Sequence, residues 1–167
     1  MTLQEVKLLQ AFNAWATQRI FDAVEKLTTE QYMQDMKSSH KSIHGTLVHF
    51  VAAEKMWLSR FVGTPDAKML TATDLPTLAD VKAVWEKNGY ESAKFLGTMT
   101  DKKLQQTFSM TTPRGETVTP IYWQTLQHIV DHSTFHRGQI VSMMRQQGVQ
   151  PPATGLIGFY REINKKP

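Results

Sequence analysis

A chain of 167 residues with 41% hydrophobic and 20% charged content is sized and composed for one globular domain with a sizeable core, not for a disordered or membrane-embedded chain. The net charge of +4 and pI near 9.3 invite a nucleic-acid reading, but the basic residues are spread among acids and cluster only as pairs, Lys102-Lys103 and Lys165-Lys166, so a solvated surface and no nucleic-acid partner are expected. Without cysteine, the chain has no disulfide framework and no protein thiolate for catalysis or metal binding.

The first long helix is expected between Thr2 and Leu27, where Val6, Leu9, Ala16, Ile20, Val24 and Leu27 recur at helical spacing. Asn13 falls on the same inward stripe and needs a partner there. A looser connection follows to Ser39, with room for a short helical turn around Gln31 to Met36. The second long helix should run from about Ser42 to Val62 and end at Gly63-Thr64-Pro65. On it His49 shares a face with Gly45, Thr46, Ala52, Ala53 and Met56, small neighbours for the most part, whereas His44 points about 140° away. His40 falls before this helix.

Asp66 to Pro76 reads as a loop. Thr77 with Asp80 then opens a third helix as a capping pair, carried by Val81, Val84, Trp85, Phe95, Leu96 and Met99. Threonine-rich runs at Thr107–Thr111 and Glu116–Thr119, flanking Pro113-Arg114-Gly115, predict a β-hairpin too small to be more than an excursion. Thr119 and Pro120 are expected to restart helix as N-cap and first-turn proline, and the last long helix should reach Gln147 before Gly148. The tail, with Leu156, Ile157, Phe159 and Tyr160, is apolar enough to pack back. The sum is an all-α protein, a four-helix bundle forming a single domain over residues 1–167.

The chemistry gathers in HIVDHSTFHRGQ, His128 to Gln139. His128, His132 and His136 stand four residues apart, each about 6 Å further along a helix. One small ion cannot hold all three. With Ile129 as centre of the buried stripe, His136 lies about 20° and His132 about 60° from it, and His128 about 100°. The inward pair is therefore His132 and His136. Two imidazoles in an apolar interior are costly unless their nitrogens find partners, and a metal ion satisfies both at once. His49 is available as a third ligand, though spacing alone does not fix which faces of the two helices meet. The other reading is a pair of core histidines bonded to carbonyls.

The segment HSTFHRGQI, preceded by LQHIVDH, resembles the DinB family of metal-binding four-helix proteins. SIHGTLVHFVAAEKMWLSRFVG and FNAWATQRIFDAVEKL resemble its second and first helices, so the likeness covers essentially the whole chain. It implies an up-down-down-up bundle, one divalent metal ion (zinc or nickel) on His49, His132 and His136, and a homodimer. Relatives in the superfamily include enzymes that use a low-molecular-weight thiol. One departure is ATGLIGFYRE after the prolines, where Gly155 or a neighbour stands in place of a frequent acid.

Three neutral imidazoles would leave an ion its full Lewis acidity and an open position for water or substrate. The expectation is a metal-dependent transferase or hydrolase acting on a small molecule, with any thiol arriving from outside as co-substrate. The alternative is a non-catalytic metal-binding protein for stress response or sensing. A di-iron bundle and a zinc metalloprotease are excluded, since no Glu has a His three residues later and no H-E-x-x-H occurs. No general base is assigned: Glu54 points about 140° from His49 and Asp131 to the far side of its helix, both read as solvated or capping carboxylates. Arg137, about 80° from the stripe centre, is expected in a surface or interface ion pair. Gln139 is a candidate to support a ligand or bond another helix. Trp57, Trp85 and Trp123 read as packing, and the nine methionines as core filler. No apolar run approaches the ~20 residues that cross a bilayer, and MTLQEVKLLQ does not read as a secretory signal. A cytoplasmic protein without a membrane partner is expected.

Overall fold

The structure, a computed structural model, describes residues 1–64, 68–112 and 114–165. Pro65 and Asp66, Pro113 of the hairpin loop, and Lys166 lie outside the described residues. Four long helices carry the fold: α1 Leu3–Val24, α3 Ile43–Phe61, α4 Leu78–Gly97 and α6 Tyr122–Gln146, with α2 Thr29–Met33, α5 Asp101–Leu104 and α7 Leu156–Ile163 as short additions. The hairpin pairs β1 Met110–Thr111 with β2 Thr117–Val118 antiparallel.

The ends of the helices follow from local chemistry. Thr2 and Glu5 form a capping box at α1, and Thr77 and Asp80 form the expected one at α4. Ser42 caps α3, its hydroxyl accepting from the Gly45 amide at 3.0 Å. Gly148 at φ 73° closes the C-terminus of α6 in the left-handed conformation. The expectation that Thr119 and Pro120 open the last helix is not met. The carbonyl of Pro120 accepts from the Phe108 amide at 3.0 Å, and Thr107 bridges to Ile121. Hairpin pairing thus keeps residues 119–121 extended, and α6 starts at Tyr122 behind an Ile121 N-cap without a side-chain bond.

α1 packs on α6 and α4, and α3 packs on the same two, so α1 and α3 are diagonal. Two apolar clusters fill the bundle. One gathers Ile20, Phe21, Leu47, Val51, Val81 and Ile140; the other gathers Val6, Leu58, Phe95, Leu126 and Ile129. Along every long helix, polar residues fall between the two: Asn13 and Thr17, Glu54, Asn88, and His132 to Arg137. The apolar tail packs back as expected, with Phe159 of α7 buried against Phe12 and Trp15 of α1. Among the described residues, no helix is long and apolar enough to cross a membrane.

Candidate metal centre

The packing of α3 on α6 brings His49 of one helix onto His132 and His136 of the other. His49 Nε2 lies 3.2 Å from His132 Nε2, which lies 3.1 Å from His136 Nε2. Hydrogen bonding alone cannot account for this convergence. His132 Nε2 is either an N–H, which donates to one neighbour and has no lone pair for the other, or a bare nitrogen, which the equally bare His136 Nε2 faces without a proton between them. One of the two contacts is therefore always left without a hydrogen bond. The ring of His136 is fixed as well: its Nδ1 stands 2.8 Å from Gln139 Oε1. An amide oxygen only accepts, so Nδ1 carries the proton and Nε2 turns a bare lone pair into the cluster.

These features fit a divalent ion. Imidazole nitrogens bind zinc at about 2.0–2.1 Å, which sets neighbouring ligands of a tetrahedral site roughly 3.3 Å apart. The observed 3.1 and 3.2 Å match that spacing. Burial, reinforced by the neighbouring imidazoles, pushes His49 and His132 down to about 4. Burial also lowers His136, against the pull of its Gln139 bond. All three are therefore neutral near pH 7, the form that coordinates metal.

Other histidines divide cleanly. His128 is exposed, with its ring 5.7 Å from Trp57. His44 is a core histidine, its Nε2 donating to the Leu75 carbonyl at 2.7 Å. His40, given no role by the sequence, stacks on His49 at 3.8 Å between ring centroids. Its position ahead of α3 carries no periodicity from which this contact could be read. His40 and His49 also wall a cavity of about 360 Å³ with Val48, Leu70 and Thr71.

Two sequence expectations are overturned. Arg137 forms no surface ion pair; it is 1% exposed. Its guanidinium donates to Asn13 Oδ1 at 2.5 Å, Thr17 Oγ1 at 3.0 Å and Thr134 Oγ1 at 2.7 Å, and lies over the Phe12 ring. Glu54 is neither solvated nor capping. Its carboxylate accepts from the amides of Asn13 at 3.3 Å and Asn88 at 3.4 Å, at the edge of a cleft of about 610 Å³ between α1 and α4. Burial raises it to about 7, although Asn88 and the Arg137 charge pull it down. Asn13 thus bridges a half-buried acid and a buried base. Both errors have one cause: α3 and α6 each pack against two long helices, so the enclosed arc is wider than a single apolar stripe. The partners of Glu54 are thus Asn13 and Asn88, and Asp131 is exposed.

Comparison with known proteins places these observations. The model of the DinB family matches residues 1–165. Protein DinB of Bacillus subtilis (strain 168) is 28% identical over 164 residues, covering 94% of this chain and 95% of the relative. A DinB-like protein from Bacillus cereus ATCC 10987 superposes with a TM-score of 0.63 at 22% identity, over 87% of this chain and 94% of that one. YfiT from Bacillus subtilis, described as a "probable metal-dependent hydrolase with an unusual four-helix bundle topology", superposes with a TM-score of 0.60 at 19% identity, over 87% and 86% of the two chains. A bundle with a histidine cluster between α3 and α6, matched from residue 1 to residue 165, belongs to the DinB family.

Proposed function

We propose that the chain binds one divalent ion, zinc or nickel, on His49, His132 and His136, and uses it on a small-molecule substrate in thiol-transfer or hydrolytic chemistry. The observation carrying this reading is the convergence of three Nε2 atoms at 3.1 and 3.2 Å with no hydrogen-bonding scheme that satisfies them. The likeness to YfiT supports the metal-dependent part. An ion there would supply Lewis acidity, polarising an oxygen or sulfur donor and lowering its pKa. The chain's own residues keep three imidazoles neutral, hold one ring by Gln139 and wall a cavity large enough for a small ligand. With no cysteine present, a thiol would enter as co-substrate. The homodimer implied by the family resemblance is carried as part of the proposal.

A second reading, non-catalytic metal binding for stress response or sensing, gains from His40. Its ring over His49 narrows access to the cluster, and filled coordination marks structural sites more than catalytic ones. Elemental analysis of purified protein beside His136→Ala tests the common part. We expect about one ion per chain in the parent and loss of it in a variant whose circular dichroism is unchanged. A folded parent that takes up neither zinc nor nickel overturns the proposal. Turnover of a thiol-conjugation panel, lost in His136→Ala, selects the enzyme over the sensor.

A further inference from the structure

Three of the clustered histidines ride on helices, but His40 sits on the connection between α2 and α3, and that connection is costly to build. Lys37 and Lys41 adopt φ of 55° and 65°, a left-handed conformation that costs a non-glycine residue about 1 kcal/mol or more. Ser38 and Lys41 bridge across the turn that carries His40, with the Lys41 amide donating to the Ser38 carbonyl at 2.9 Å. The turn is then pressed onto the first turn of α3. A Cβ at Gly45 would stand 2.1 Å from the His40 carbonyl oxygen, so only glycine allows the approach.

The result is specific in its nitrogens. The rings of His40 and His49 are stacked within 16° of parallel, and His40 lies 5.2 Å from the His136 ring. His40, His49 and His136 each offer a ring nitrogen, and these all lie within 4.8 Å of one another. A turn of the His40 ring is all that separates its nitrogen from the point where the others converge. We propose that His40 is a fourth ligand of the ion held by His49, His132 and His136, supplied from a loop on the cavity side. The proposal rests on the three-histidine reading above. An imidazole holds an ion in the plane of its own ring, and two rings stacked within 16° of parallel have no such point in common nearby. His40, a half-exposed loop side chain, therefore turns out of the stack to bring its nitrogen onto the ion. Three rigid helical ligands and one loop ligand beside a cavity make His40 the ligand that an incoming donor displaces.

Cobalt(II) loaded in place of the native ion tests this without any activity measurement. His40→Ala should change the visible d–d absorption of the cobalt protein and weaken cobalt affinity at least tenfold. His40→Cys should introduce a thiolate-to-cobalt charge-transfer band in the near ultraviolet, a signature the parent cannot show because it has no cysteine. A purely packing role for His40 produces no such band. Folded, cobalt-loaded His40→Cys without the band, beside His40→Ala with the parent's spectrum and affinity, overturns the fourth ligand and leaves the three-histidine site standing. A folded parent that binds no cobalt overturns both.

Discussion

Glu54 and Arg137 lie in the same polar layer as the histidines yet answer a different requirement. Arg137 is enclosed within the bundle and Glu54 stands half-buried at the cleft edge, with Asn13 accepting from Arg137 and donating to Glu54. Isolated buried charges cost several kcal/mol, and such pairs persist where every remaining bond is made. The layer is nearly complete, with Arg137 Nε the one guanidinium nitrogen lacking a partner. Because Glu54 is raised from the ordinary 4.5 to about 7 in the fold, its contribution to stability is fully present below about 4.5 and is lost as pH rises through about 7. At 1.36 kcal/mol per pKa unit the loss is on the order of 3 kcal/mol. Glu54→Gln holds the group in its uncharged shape, so the difference in unfolding free energy between parent and variant should slope across pH 4.5 to 7.5, with the variant gaining on the parent as pH rises. Urea unfolding at a series of pH values measures it. A pH-independent difference would mean that the carboxyl is not desolvated as the fold implies.

At the scale of elements, the long helices were legible because each carries an apolar stripe at helical period and a side-chain or glycine signal at one end. Thr77 with Asp80 and Gly148 each stand where their chemistry placed them. The hairpin was legible too, from its threonine runs; what escaped was pairing beyond it. Thr119-Pro120 looks like a helix start in isolation, and the ladder from Thr107 to Ile121 overrides it. The wheel placed His132 and His136 inward correctly, but the closeness of His49 to them depends on how α3 lies on α6, which no local pattern encodes. His40 depends on a turn of five residues and one glycine. Gly45 was noticed only as a small neighbour of His49, whereas its missing side chain admits the His40 carbonyl. Gly45→Ala should therefore push the turn off α3, costing about 1–3 kcal/mol as other overpacked sites do. Thermal unfolding would show the loss, and the ring proton shifts of His40 and His49 should move as their stacking breaks. An alanine variant with the parent's stability and shifts would show that the turn yields without cost.

For the whole molecule, the proposed metal site predicts that the bundle's stability depends on metal. The unfolded chain scatters His49, His132 and His136 over 88 positions of sequence, so an ion binds the folded state in preference, and stability rises as RT ln(1 + [metal]/Kd). At a hundred times Kd this is about 2.7 kcal/mol, and a domain of this length gains roughly 2–4 °C per kcal/mol. Zinc or nickel should thus raise the melting temperature by roughly 5–10 °C, a chelator should reverse the rise, and His136→Ala should abolish it. Acid separates this site from a loose set of surface histidines. With folded values near 4, below the ordinary 6.5, His49 and His132 contribute stability to the metal-free protein that is fully present above about 6.5 and lost as pH falls through about 4. Until then these two imidazoles stay unprotonated and ready for metal, where free histidines would already carry protons, and burial lowers His136 in the same direction. The metal-dependent rise measured at pH 5.5 should accordingly remain close to that at pH 7.5. Scanning calorimetry at both values decides it: a rise that vanishes between pH 7 and 6 would mean that the three rings are solvated in the folded protein, and the packing of α3 on α6 would then be looser than the one that brings their nitrogens together.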